Sequence, residues 1–199
     1  MGKKLCLAGL MTMLMSQAFA KPTPEFIVLG MGCFWGAEKR MSELKGVLDV
    51  ESGYAGGESD NATYESVIKA SRMEKWGMGS KDHAEVVKVT YDANQVDAVA
   101  VLEQFWESHN PTEGDRQGND IGSQYRSAVY YRTEEQRDAV YTTMGEYQAL
   151  LTKAGFGDIT TEVKPLGKYF TAEEYHQNYL NKNPNGYCGL GGVGVKFPK

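Results

Sequence analysis

Short runs fit for strands alternate along this chain with apolar stripes at helical spacing. That interleaving restricts the fold to an α/β domain with a mixed sheet. Residues 26–31 form an apolar run suited to a buried strand, and Gly32 turns it toward a helix on which Phe34, Ala37, Met41 and Leu44 recur at helical spacing. Residues 48–52 read as a second strand running into the turn Gly53-Tyr54-Ala55-Gly56-Gly57. Residues 58–82 are polar and read as a long surface loop with one helical turn at 64–69. Residues 83–91 alternate as a strand, with Glu85, Val87, Val89 and Tyr91 on one face. Val96, Val99, Leu102, Phe105 and Trp106 make the stripe of the next helix, a Gly/Asn/Asp loop spans 110–122, and residues 124–131 read as a strand. Thr133-x-x-Gln136 is a capping box for a helix with the stripe Val140, Met144, Tyr147 and Leu151. A strand near 159–163 and a second capped helix, from Thr171-x-x-Glu174 to about Leu180, complete the pattern, and residues 181–199 are an irregular Gly-rich tail.

Residues 1–20 stand apart from this pattern. Lys3 and Lys4 precede a short apolar run that ends in Ala18-Phe19-Ala20, which reads as a signal peptide cleaved after Ala20 and an exported, periplasmic or secreted protein. Residues 21–199 then form a single catalytic domain, in keeping with a chain of 199 residues without repeat or linker. The net charge of −5, with no block of Lys and Arg, argues against nucleic acid as the main partner.

Three cysteines are too few for a disulfide scaffold, and Cys6 leaves with the signal peptide. Cys33 and Cys188 remain, near the two ends of the mature chain. One reading is a permanent structural disulfide. The other follows from where Cys33 sits, at a strand-to-helix junction where free backbone N–H groups and the helix dipole favour the thiolate of a nucleophile. Glu85 is the second anomaly, because the alternation places its carboxylate on the core face. Burial would raise its pKa and make it a general acid near neutral pH. The polar cluster Arg116-Gln117-Gly118-Asn119-Asp120, followed by Tyr125 and Arg126, is the third.

Other patterns fail on context. Residues 189–194 satisfy G-x-G-x-x-G, yet too little chain follows to complete a dinucleotide-binding unit. Their glycines instead give the segment after Cys188 freedom to move. His83, His109 and His176 share no metal-ligand spacing, so no metal site is expected.

The motifs Gly32-Cys33-Phe34-Trp35-Gly36, Gly53-Tyr54-Ala55-Gly56-Gly57, His83-Ala84-Glu85-Val86-Val87, Arg116-Gln117-Gly118-Asn119-Asp120, Gln124-Tyr125-Arg126-Ser127 and Gly186-Tyr187-Cys188-Gly189 occur in that order. Together they resemble the peptide methionine sulfoxide reductase A family over essentially the whole mature chain. The resemblance implies an α+β, two-layer ferredoxin-like sandwich and an oxidoreductase that reduces the S epimer of methionine sulfoxide, free or in proteins. It implies no metal, flavin or nicotinamide cofactor, and a monomer served by an external thioredoxin-like thiol donor. By the same resemblance the Cys33 thiolate attacks the sulfoxide sulfur while protonated Glu85 gives its proton to the oxygen. Tyr64 and Tyr125 donate hydrogen bonds to that oxygen, Asp120 supports the site, and Phe34 and Trp35, with Tyr179 near the pocket, form an apolar wall for the methyl group. The sulfenic acid left on Cys33 is resolved by Cys188, giving a Cys33–Cys188 disulfide.

Two departures from the family pattern stand out. Many relatives carry a further recycling cysteine where this chain has Lys196, and a longer basic segment, residues 69–82, replaces the usual short link between Tyr64 and Glu85. A different thiol oxidoreductase of peroxidase type, and a non-enzymatic exported domain with a structural disulfide, remain as alternative functions.

Overall fold

The structure is a computed structural model that describes residues 21–187 and 189–199. The expected signal peptide, with Cys6, and the expected resolving residue Cys188 lie outside the described residues.

Six strands form one mixed sheet, and the apolar runs seen in the sequence are its centre. β1 (Pro24–Met31) pairs antiparallel with β3 (Ala84–Asp92) on one side and with β6 (Ser127–Tyr131) on the other. β2 (Val47–Ala55) lies against the far edge of β3. This order, β6-β1-β3-β2, is the split arrangement of a ferredoxin-like sandwich. β7 (Glu162–Pro165) extends one edge in parallel with β6, and β8 (Tyr169–Thr171) closes the other beside β2.

Helices α1 (Phe34–Ser42), α3 (Ala98–Ser108) and α4 (Glu134–Lys153) supply the second layer. Their stripes meet the sheet face carrying Ile27, Leu29, Val87, Val89 and Val129 in one apolar core. Trp106 and Tyr147, both fully buried, join α3 to α4, and the Trp106 indole N–H donates to Thr143 Oγ1 at 2.9 Å. Alternation along the same strands puts Val28, Val86, Ala128 and Tyr130 in a smaller cluster on the opposite face. The C-terminal tail is held against this framework. Tyr147 donates to the Val195 carbonyl at 3.2 Å and stacks on Phe197, while Glu107 takes both the Phe197 N–H and the Lys196 ammonium at 2.8 Å.

Several local expectations are corrected. Residues 58–82 are not one loop, because α2 (Tyr64–Lys75) occupies most of the segment. Thr63 and Ser66 cap it reciprocally, with Ser in the place where Glu or Gln is the usual signal, and only Val67 and Ser71 face the core. β2 runs on through Gly53, Tyr54 and Ala55, and the turn begins at Gly56, whose φ of +88° suits glycine alone. Val99 is exposed, and Val101 takes its place in the core. The Asn110–Gly122 region contains a small hairpin, β4 (Arg116–Gln117) with β5 (Asp120–Ile121), and residues 123–125 form a 3-10 turn ahead of β6. Residues 171–178 are not helical. Thr171 pairs with Gly53 in the sheet, the Glu173 carboxylate bonds to other elements, and helix resumes only in α5 (Tyr179–Lys182).

Candidate active site

Cys33 is the N-terminal cap of α1, directly after β1 ends at Met31. Gly32 makes this junction possible. Its φ of +96° lies in the left-handed region, and a Cβ there would stand 2.8 Å from the Gln117 side chain. Gln117 cannot yield easily, because its amide both accepts from Asn110 N–H and donates to the Asn110 carbonyl at 2.9 Å. The hairpin is thereby fixed beside the sulfur.

Glu85 enters from β3, opposite Tyr54 of β2 in the sheet register. It is buried at 2% exposure on the face shared with Val87, Val89 and Tyr91, as the alternation predicts. One carboxylate oxygen accepts the Phe34 N–H at 3.2 Å. Burial pushes the Glu85 pKa up to about 8, with a further upward push from Asp120, and the Phe34 bond only partly opposes them.

The thiol does not follow the expectation of a lowered pKa. Burial, together with the negative charges of Glu85 and Asp120, pushes Cys33 up to about 12, against the downward pull of the Trp35 and Gly36 N–H groups. Helix-end donors act here as foreseen, but desolvation outweighs them. At neutral pH the site therefore holds two protons, one on sulfur and one on a carboxyl. Burial also raises the Asp120 carboxyl, while a hydrogen bond with the Tyr187 side chain lowers it. Tyr125 and Tyr64 are raised by burial and then by the charge of Glu85, so both phenols stay protonated and can donate.

Aromatic groups build the opposite side. Phe34 is buried against Tyr54 and against His176, at ring separations of 5.7 and 4.8 Å. Trp35 stacks on Tyr179 at 3.7 Å with an interplanar angle of 13°, and its indole N–H donates to His176 Nδ1 at 3.0 Å. The Tyr64 ring stands 4.7 Å from the same imidazole. Phe34, Trp35 and Tyr64 thus meet at His176 and Tyr179 joins them through Trp35, while Cys33, Glu85, Asp120, Tyr64 and Tyr125 are coupled by charge. Cys188 lies outside the described residues, although its neighbour Tyr187 reaches Asp120.

Sequence reasoning missed His176, Tyr54 and Glu173. His176 is buried, with Nε2 unpartnered, and desolvation lowers its pKa, so it is a neutral ring that orders the aromatic wall. Glu173 accepts the Tyr54 O–H at 2.8 Å and the Tyr64 N–H at 2.9 Å, which ties the start of α2 to β2. The short spacing between Glu173, His176 and Tyr179 was the available signal. The other two histidines are structural: His109 bonds the Phe105 carbonyl and Ser127 Oγ in the core, and His83 bonds Gly57 N–H and the Ser59 carbonyl. Among the described residues no cluster of three His, Cys, Asp or Glu groups is arranged to hold a metal ion.

Known proteins resemble this chain in sequence and fold. A peptide methionine sulfoxide reductase MsrA of Vibrio cholerae is 51% identical over 172 residues, covering 86% of this chain and 77% of that protein. Methionine sulfoxide reductase A of Corynebacterium diphtheriae superimposes with a TM-score of 0.73 at 42% identity, over 85% of this chain and 79% of that one. Mxr1 of Saccharomyces cerevisiae in reduced form gives 0.72 at 31% identity, over 83% and 88%. The sequence model of peptide methionine sulfoxide reductases matches residues 25–192, and the chain belongs to that family.

Proposed function

We propose that this protein reduces the S epimer of methionine sulfoxide, free or in polypeptides, with Cys33 as nucleophile and Glu85 as acid. The observation that carries the reading is a carboxyl kept protonated by burial and bonded to the first turn of the helix that begins at Cys33. The aromatic wall of Phe34 and Trp35 takes the substrate methyl group, and the protonated Tyr64 and Tyr125 side chains donate to the sulfoxide oxygen. As Glu85 transfers its proton to that oxygen, the substrate sulfur becomes electrophilic. Cys33 gives its proton to the Glu85 carboxylate so formed and its sulfur bonds to the substrate sulfur; that bond then breaks as the hydroxyl passes to Cys33, leaving a sulfenic acid, and methionine departs.

The thiol of Cys188 then condenses with the sulfenic acid, releasing water and forming a disulfide that an external dithiol must reduce. Mxr1 has been solved in complex with Trx2, and a thioredoxin-like donor suits this chain's need for such a dithiol. The Lys-led apolar segment ending in Ala18-Phe19-Ala20 supports export, with turnover outside the cytoplasm.

Free-thiol counting after incubation of the reduced protein with each epimer of a methyl sulfoxide tests the reading. The S epimer should consume both Cys33 and Cys188 thiols, and Cys33→Ser should abolish turnover. Thiol loss to hydrogen peroxide alone would indicate a peroxidase instead.

A further inference from the structure

Exposed apolar side chains are concentrated beside this site. Among the described residues ten large hydrophobic side chains are exposed, and Tyr64, Met73, Trp76, Met78 and Ile121 all line two grooves that meet along α2. One groove, of about 400 Å³, joins Asp120 and Tyr125 of the site to Tyr64, Ile68 and Arg72. The other, of about 440 Å³, continues from those three residues to Met73, Trp76 and Met78. The helix explains the continuity. Tyr64, Ile68, Arg72 and Trp76 recur every four residues, so they form one ridge from the site to the end of α2.

Trp76 is 76% exposed, a poor place for an indole unless something covers it. Arg72 on the ridge, and Lys69 and Lys75 beside it, make no ion pair among the described residues. The ridge rises about 18 Å at 1.5 Å per residue, the span of about five extended residues at 3.3 Å each.

We propose that the α2 ridge binds the segment of oxidised polypeptide adjoining the methionine sulfoxide, with apolar side chains on Ile68, Met73, Trp76 and Met78 and an acidic side chain facing Arg72 and Lys75. This rests on the sulfoxide-reductase reading of the site, and assigns its substrate class as unfolded, apolar and acidic segments rather than the free amino acid. Continuity with the catalytic groove favours the substrate as occupant over the thiol donor. The segment involved, residues 69–82, is the one in which this chain departs from the usual family pattern.

Steady-state kinetics on the full protein test it, with a blocked single-residue methionine S-sulfoxide and with unstructured peptides flanked by Leu and Asp, by Leu and Lys, or by Gly and Lys. Leu/Asp peptides should exceed Gly/Lys peptides about tenfold in kcat/KM, through KM. Trp76→Ser combined with Met78→Ser should erase that preference and leave the single-residue substrate within twofold. Arg72→Glu with Lys75→Glu should transfer the preference to Leu/Lys peptides, a gain that damaged folding cannot produce. Equal rates for all peptides would overturn the proposal, as would a Trp76 and Met78 effect confined to the KM of the thiol donor. Absence of turnover on the single-residue substrate would instead refute the activity itself.

Discussion

The Phe34 N–H donates to Glu85 Oε2 at 3.2 Å, so the first turn of α1 and the start of β3 hold Cys33 and Glu85 in one frame. Glu85 works as an acid only while protonated, and its pKa of about 8 sets the limit. Single-turnover reduction should therefore be level near neutral pH and fall as pH rises through about 8. Glu85→Gln, unable to donate an acidic proton, should lose on the order of 10²- to 10⁴-fold in rate and lack that limb. A wild-type profile unchanged up to pH 10 would remove Glu85 as the acid.

The same carboxyl links stability to pH. Its folded-state pKa, about 8, lies above the ordinary 4.5, so folded protein holds the proton more tightly than unfolded protein. The stabilising contribution is complete below 4.5 and is lost as pH rises to about 8. At about 1.4 kcal/mol per pKa unit the total is several kcal/mol as an upper bound. Denaturant unfolding should show wild type losing stability between pH 5 and 9 relative to Glu85→Gln, and parallel curves for the two proteins would contradict the buried acid.

Free enzyme should behave as a thiol. With Cys33 pushed up to about 12, alkylation by iodoacetamide should still be rising at pH 10, with no plateau near neutrality. Glu85 is one cause of that elevation, so Glu85→Gln should move the alkylation curve to lower pH. A plateau at or below pH 7 in the wild type would mean that the helix end overcomes desolvation.

The strand-to-helix junction at Cys33, the burial of Glu85 and the central strands were legible because each depends on period or on a local rule. The alternation of residues 83–91 is enough to put Glu85 on the face of Val87, Val89 and Tyr91, since alternate residues of a strand share a face. What escaped depends on distant partners. Thr171-x-x-Glu174 satisfies a helix signature, yet Glu173 is engaged by Tyr54 and Tyr64, each more than a hundred residues away. Helix α2 was hidden because its exposed ridge carries the apolar residues, and only Val67 and Ser71 mark its buried side. The pKa of Cys33 was misjudged for a similar reason: helix ends are visible in sequence, whereas the desolvation that outweighs them comes from packing.

Tyr187, immediately before Cys188, shares a hydrogen bond with Asp120 at the edge of the site. That bond tethers the tail where the resolving thiol must arrive, without touching the atoms of the first chemical step. Tyr187→Phe removes it, at a cost of about 1 to 2 kcal/mol in positioning, or a factor of roughly 5 to 30. The burst of methionine formed in the first turnover should be unchanged in this variant, whereas the sulfenic acid on Cys33 should persist about 5 to 30 times longer before disulfide formation. Asp120→Asn should slow both steps, because that residue also faces Cys33 and Glu85. Rapid-quench trapping of the sulfenic acid with dimedone distinguishes the two variants. Equal sulfenic-acid lifetimes in wild type and Tyr187→Phe would show that the tail reaches Cys33 without this tether.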